Sequence, residues 1–369
     1  MRIVIVGPFP PLRGGISMFN HSLAEELSKD HKVHRVSFSL QYPKLLFPGK
    51  SQYFDFDGEK AKAMISSINP FSWKKTAGFI NRINPDLVII QYWMPFFAPA
   101  FSSIAKGVKK GCGAQIIVNC NNITPHEPRA MDALMTARFF DNCDGFIVMS
   151  ETVENDLLKN IPNPKYQKTP HPIYDVFGKS VDKDKAKEMI GVTEDKTILN
   201  FGLIRDYKGL DILIESAKLL KEKLDNFKIM VVGECYGNQN DYIQLAEENG
   251  VSDIIDFRFE FVPNEKVNQY FCAADLVVLP YKSATQSGVV PIAYHFDKPV
   301  VVSNVGGLPE IVVEGKTGFI CEPNSTSMVE GILKYYESDL EQYSPFIAEY
   351  KKKLSWENFA RVVLELAQS

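Results

Sequence analysis

The sequence lacks what a membrane-spanning protein, a disulfide scaffold or a nucleic-acid binder needs. No stretch approaches the ~20 consecutive apolar residues that cross a bilayer. Arg2–Val6 is too short for a secretory leader and runs straight into Gly7-Pro8. Cys112, Cys120, Cys143, Cys235, Cys272 and Cys321 are scattered and form no C-x-x-C pair. They are expected as reduced thiols of a cytoplasmic protein, neither staples nor zinc ligands. Charge is nearly balanced at −4, and no aromatic-basic RNA-binding signature occurs, so nucleic acid is not an expected partner. The first strand is followed by Gly7-Pro8-Phe9-Pro10-Pro11, not by G-x-G-x-x-G. Prolines remove the N–H donors that the dinucleotide turn needs, which argues against a nicotinamide dehydrogenase. Repeats and low-complexity tracts are also missing.

What is present is a folded composition, 45% hydrophobic and 23% charged, over 369 residues. That length predicts two domains. Residues 1–172 carry 20 Lys and Arg against 14 Asp and Glu, whereas 173–369 carry 21 against 31. The two halves therefore differ in sign, +6 and −10, which suggests different partners. Short apolar runs alternate with helical periodicity throughout. Strands are predicted at 2–6, 32–38, 86–91, 115–119 and 145–149, then at 197–202, 228–233, 254–259, 276–281, 300–302 and 318–321. Alternation of this kind predicts parallel, doubly wound sheets. Pro164, Pro170 and Pro172 with the charged run Asp182 to Glu188 mark a linker near His171-Pro172. A last amphipathic helix is predicted from Ser355 to Gln368.

Two stretches carry the chemistry. In Asn200–Gly209, NFGLIRDYKG, a buried strand ends at Gly202 and Arg205 and Lys208 follow on a turn. The pair reads either as a diphosphate clamp, the planar Arg fork beside the mobile Lys charge, or as two solvated loop charges. In Tyr281–Glu310 a loop leads to a helix predicted to start near Ser287, with Ser287 as its N-cap, and then to a buried strand. Gly288 lets a ligand approach the backbone, and the Ser287, Gly288 and Val289 amides could face an anion. Thr285 and Gln286 offer neutral polar contacts. The alternative for 284–292 is a helix shaped only by packing. Gly306-Gly307 provides a second permissive turn. Glu310 either approaches the ligand or caps a helix near 308–313.

These segments resemble the retaining glycosyltransferases of the large family 4, the glycosyl transferases group 1, in order and spacing over nearly the whole chain. Gly14-Gly15 is similar to that family's glycine loop, Gly202 to Leu213 to "G-R-x-x-x-x-K-G", and Cys272 to Tyr281 to "A-D-x-x-x-x-P". Lys298 to Glu310 is similar to "G-x-P-V-V…G-G-x-P-E", and Glu314 to Gly318 to "x-G-x-x-G". The resemblance implies an α/β GT-B fold: two doubly wound Rossmann-like domains facing a central crevice, with the C-terminal helix returning to the first domain. It divides the chain into an acceptor domain, 1–172 plus 355–369, and a nucleotide-sugar donor domain, 173–354. It implies donor diphosphate contacts at Arg205 and Lys208. Read from the residues themselves, Gly15, Ser287, Gly288 and Val289 are further candidates for the diphosphate, and Gly14, Gly202, Thr285, Gln286 and Glu310 for the sugar or nucleoside.

Two departures stand out. The family's two glutamates, eight positions apart, align with Ala284 and Ile292, neither of which accepts a hydrogen bond. A histidine common at the end of the strand 86–91 is replaced by Gln91-Tyr92-Trp93. The candidate catalytic pair is therefore His126, as a partner for a sugar hydroxyl, and Glu127, as a base. The same residues after Pro125 also suit an ordinary helix start. Asp55-Phe56-Asp57 matches a D-x-D metal motif of another fold and is discounted in favour of a turn, so no metal and no cofactor are expected.

The function expected is transfer of a sugar from a nucleotide diphosphate sugar to a glycan or lipid-linked acceptor, with retention, in bacterial surface polysaccharide synthesis. The alternative is a non-catalytic nucleotide-sugar-binding or scaffold subunit, favoured by the missing glutamates. A nucleotide-sugar epimerase fits less well, because that chemistry wants acids near the sugar. Lys44 and Lys50 around Phe47, Lys74-Lys75 beside Trp73, and Lys106, Lys109 and Lys110 suit either a peripheral contact with the inner face of an anionic membrane or solvated helix faces.

Overall fold

The computed structural model describes residues 1–43, 51–125, 131–174 and 176–369. Its internal contacts divide the chain into two compact units, Met1–His171 with Trp356–Ser369, and Pro172–Ser355.

Unit 1 contains β1 (Arg2–Val6), α1 (Gly15–Ser28), β2 (Lys32–Leu40), β3 (Lys62–Ser66), α2 (Pro70–Ile83), β4 (Leu87–Tyr92), α3 (Ala98–Gly111), β5 (Gln115–Cys120), α4 (Asp132–Phe140), β6 (Gly145–Val148), α5 (Glu151–Asn160) and β7 (Tyr166–Lys168). Its described strands form one sheet in the order β3-β2-β1-β4-β5-β6-β7, with every pair parallel. β4 is buried at all six positions, as a strand covered on both faces must be. Helix ends follow local chemistry. Asn69 accepts from the Phe71 amide ahead of Pro70, Asn84 closes α2 in the left-handed region, and Ser150 accepts from the Val153 amide to cap α5.

Unit 2 contains α6 (Lys183–Ile190), β8 (Lys196–Phe201), α7 (Leu210–Lys221), β9 (Phe227–Val232), α8 (Gln239–Glu248), β10 (Ile255–Arg258), α9 (Asn264–Ala273), β11 (Leu276–Leu279), α10 (Val289–His295), β12 (Val300–Ser303), β13 (Gly318–Cys321), α11 (Ser325–Glu337) and α12 (Tyr343–Tyr350). Its sheet runs β10-β9-β8-β11-β12-β13, again parallel. Both sheets reverse direction of winding beside their first strand, between β1 and β4 and between β8 and β11. Open α/β sheets bind ligands at the carboxyl ends of the strands at such a switch point.

The last helix, α13 (Trp356–Gln368), belongs to unit 1 and packs on α1, β5, β6 and β7. Trp356, Phe359, Val363 and Leu366 form its buried stripe. Phe19 of α1 meets Trp356, Phe359 and His171 edge-on, with ring centroids 4.9, 5.2 and 5.2 Å away. On β6, a Cβ at Gly145 would stand 3.2 Å from the Leu366 side chain, so glycine there makes room for the helix.

The structure corrects several expectations. The units divide at His171-Pro172 as expected, but the charged run Asp182 to Glu188 folds as α6, capped by Asp182, whose side chain accepts from the Asp184 and Lys185 amides. Only Ala186 and Ile190 of α6 are buried, so its charges hide its period. β3 and β7 were not expected, because each is an edge strand with little buried surface. Among the described residues no helix is long and apolar enough to cross a membrane.

Candidate functional site

In unit 2 the switch point lies between the loops after β8 and β11. β8 and β11 pair only at Ile198–Leu276 and Leu199–Val277. Beyond that, the Asn200 side chain donates to the Val278 carbonyl at 2.9 Å, bridging the strands where they part. Gly202 then takes φ 112°, a conformation that favours glycine. A Cβ on it would lie 3.7 Å from Lys208 Nζ and 3.5 Å from Val289 Cγ2. Val289 is thus brought beside Gly202 and Lys208, which lie far from it in sequence.

Arg205 and Lys208 flank a 3-10 turn, Asp206–Lys208, that ends at left-handed Gly209. The Arg205 guanidinium lies 4.9 Å from the Tyr236 ring centre. Lys208 Nζ donates to the Tyr281 hydroxyl at 2.8 Å and stands 4.6 Å from that ring's centre. Among the described residues neither cation pairs with a carboxylate, whereas neighbouring Lys282 is held by Asp206 at 3.2 Å and Asp211 at 2.8 Å. Burial disfavours the Lys282 ammonium, but its bonds to Asp211 and Asp206 outweigh this and raise its pKa above the ordinary lysine value. The turn therefore presents two uncompensated positive charges at the carboxyl edge of the sheet.

The loop after β11 differs from expectation by one or two residues. α10 starts at Val289, with Gly288 in the N-cap position at φ −72°. Ser287 is not the cap; its Oγ accepts from the Val289 amide at 3.2 Å, which engages a group expected to face phosphate. Thr285, Gln286, Ser287 and Gly288 are half-buried. Ala284 and Ile292 are 8% and 7% exposed, so both positions are apolar and enclosed. Glu310 sits exposed in a short 3-10 turn, Pro309–Ile311, in place of the helix expected near 308–313.

In unit 1, Gly14 precedes α1 with φ 121° and would meet nothing within 4 Å of an added Cβ. Backbone geometry, not packing, requires glycine there. Gly15 is the first residue of α1. His126 and Glu127 lie outside the described residues, as do Lys44, Phe47 and Lys50. At the carboxyl ends of β4 and β5 the Asn119 and Asn121 amides both donate to Gln91 Oε1, at 2.8 and 2.9 Å, so the position of the absent histidine holds a neutral, buried amide cluster. Asp55 and Asp57 are exposed. Trp73 turns inward and donates to the Ser66 carbonyl at 2.6 Å, and Lys109 pairs with Asp144 at 2.5 Å. Ile68, Phe71, Lys74, Lys75, Lys106 and Lys110 are exposed.

Sequence reading missed Tyr236, Tyr281 and Lys282 as neighbours of the cations. The available signal was positional: Tyr281 and Lys282 follow the strand that adjoins β8 in a doubly wound sheet.

Residues 176–353 match the family model described as glycosyl transferases group 1. D-inositol 3-phosphate glycosyltransferase of Corynebacterium urealyticum is 28% identical over 247 residues, covering 62% of this chain and 57% of that protein. Lipopolysaccharide 1,2-N-acetylglucosaminetransferase of Salmonella typhimurium is 27% identical over 237 residues, covering 60% and 61%. The chain thus spans less than two thirds of the length of either relative. The Anabaena protein HepE, solved in complex with UDP-glucose, superposes with a TM-score of 0.76 at 16% identity, over 100% of both chains. That likeness concerns the fold. The fold is therefore GT-B, and residues 176–353 are similar to the glycosyl transferases group 1.

Proposed function

We propose that the protein transfers a sugar from a nucleoside diphosphate sugar to a glycan or lipid-linked acceptor, with retention, in bacterial surface polysaccharide synthesis. The observation that carries this is the pair Arg205 and Lys208, two cations that among the described residues have no carboxylate partner, beside the switch point of unit 2. Cations held there would stabilise the charge that develops on a departing diphosphate. Gly202, the Thr285–Val289 loop and Glu310 would contact the donor, and Gly14 and Gly15 are proposed as donor contacts as well. His126 and Glu127 are the proposed catalytic pair. No cofactor or metal enters this reading. The nucleotide-sugar class is supported by the UDP-glucose named for the Anabaena structure, and the acceptor class by the lipopolysaccharide named for the Salmonella relative. The protein is proposed to work in the cytoplasm, with unit 1 touching the inner face of the membrane.

A non-catalytic nucleotide-sugar-binding or scaffold role is the second reading, favoured by the enclosed apolar side chains of Ala284 and Ile292. A thermal-shift panel of UDP-, GDP- and ADP-sugars tests binding, since a ligand of the native state raises Tm. Slow release of nucleoside diphosphate without acceptor separates the two readings: a transferase hydrolyses its donor and a scaffold does not. Arg205→Ala should weaken nucleoside diphosphate and donor alike by about 1.5–3 kcal/mol, and unchanged affinity for both would remove the clamp.

A further inference from the structure

We infer that Tyr281 and Lys282, consecutive residues beyond the carboxyl end of β11, are positioning residues that hold the Arg205–Lys208 turn ready for a diphosphate. The inference rests on the reading of that turn as the diphosphate site.

The loop after β11 grips the turn at four successive residues. Asp206 accepts from Lys282 Nζ at 3.2 Å. The Tyr207 carbonyl accepts from the Lys282 backbone amide at 2.8 Å. Lys208 Nζ donates to Tyr281 Oη. Gly209 packs so closely on the Pro280 carbonyl that an added Cβ would collide with it. Asp211, in the first turn of α7, adds a second carboxylate to Lys282 at 2.8 Å. Two distinct tasks are visible in these contacts. Lys282 neutralises Asp206 and Asp211, the acids within and just after the turn in sequence, and so removes carboxylates that could otherwise capture Lys208 or repel an anion. Tyr281 is 2% exposed, so its phenol is fixed by the core and offers the flexible lysine a single resting point. A phenol oxygen is neutral: it directs Nζ without cancelling its charge, and it uses one of three ammonium protons. A long lysine side chain loses much rotamer entropy when a ligand immobilises it. Holding it beforehand lowers that cost and tightens binding without any new contact to the ligand.

The test titrates the whole chain with UDP and, independently of any base, with inorganic pyrophosphate. Tyr281→Phe keeps the ring and removes the acceptor; Lys282→Met keeps the stem and removes both ion pairs; Lys282→Arg restores the charge. Tyr281→Phe and Lys282→Met are each expected to weaken pyrophosphate and UDP about 3- to 10-fold, the scale of one lost hydrogen bond, with Lys282→Arg returning to near the wild-type value. The dependence of affinity on salt should stay as in the wild type for Tyr281→Phe, because the Lys208 charge remains, and should flatten for Lys208→Ala. If Lys208→Ala weakens pyrophosphate while Tyr281→Phe and Lys282→Met both bind as the wild type, the positioning role is overturned and the clamp stands. If Lys208→Ala binds as the wild type, the clamp itself is overturned. A loss in Lys282→Met that Lys282→Arg does not recover would reduce Lys282 to general loop packing and overturn its share of the inference.

Discussion

Gly306 and Ala284 touch backbone to backbone: Gly306 has φ 53°, and a Cβ on it would collide with the Ala284 carbonyl oxygen. This contact ties the turn after β12 to the polar loop after β11, so the shape of the candidate donor loop depends on a residue outside it. Gly306→Ala should therefore destabilise unit 2 by more than the roughly 1–2 kcal/mol that a left-handed backbone alone costs a non-glycine residue. Gly315→Ala is the control, since Gly315 has φ 70° but nothing within 4 Å of its Cβ direction. Thermal denaturation of both variants checks this. Equal losses would mean that the Ala284 contact carries no weight.

The polar loop gives a second expectation. A Cβ at Gly288 would stand 3.5 Å from the Tyr174 ring, ordinary contact distance, so Gly288→Ala should fold and bind. Gly288→Val should fold but abolish donor binding, because its methyl groups fill the approach to the loop. Ser287→Ala removes the acceptor of the Val289 amide and should weaken binding by about 0.5–1.5 kcal/mol. Ile292→Glu should not help, because it places a charge in an enclosed apolar position. Calorimetric titration with the donor found by thermal shift is decisive; wild-type-like binding by Gly288→Val would make the loop structural and favour the scaffold reading.

How much of this was legible depends on what each residue touches. β11, whose four residues are all buried, declares itself as an apolar run, and so do β4 and β5. β7 (YQK) buries none of its residues fully and has no such signature. Arg205 and Lys208 were legible because a strand, a glycine and two cations stand in sequence. Tyr281 and Lys282 were not assigned a role, because they meet the turn only through the pairing of β8 with β11, strands far apart in the chain. Ser287 was misplaced because a serine one residue outside a helix can serve an amide just inside it, as its bond to Val289 shows.

Metal provides a third check. With Arg205 and Lys208 supplying positive charge, donor binding and turnover should be unchanged in excess chelator. Loss of turnover, restored by magnesium or manganese, would reassign the phosphate site and bring the exposed Asp55 and Asp57 back into consideration.

On the surface of unit 1, Phe71 and Ile68 take the apolar role expected of Trp73, beside the same Lys74 and Lys75. Phe71 is 82% and Ile68 56% exposed at the start of α2, followed by exposed Lys74 and Lys75, while Trp73 is engaged inside the unit. An apolar tip followed by cations suits insertion at an anionic interface. Sedimentation with vesicles of phosphatidylglycerol and phosphatidylcholine should show binding that falls with salt and is reduced in Phe71→Ser and in Lys74→Ala/Lys75→Ala. Equal binding to pure phosphatidylcholine, or none to either vesicle, would count against the contact.

The last expectation concerns α13. Phe19 of α1 is surrounded edge-on by Trp356, Phe359 and His171, and Phe359 is 1% exposed. Burying a phenylalanine contributes about 1.5–3 kcal/mol, and truncating one inside a core costs about 3–5 kcal/mol because a cavity remains. Phe359→Ala should therefore lower the melting temperature of unit 1 substantially. Deleting residues 355–369 should do more, since it also strips Leu366 from the space beside Gly145 and uncovers β5 and β6. Limited proteolysis locates the effect: new cleavage should appear in α1 and in the strands under α13 before it appears in unit 2. A truncated chain with wild-type melting temperature and cleavage pattern would show that α13 is an accessory cover and that unit 1 holds its core without it.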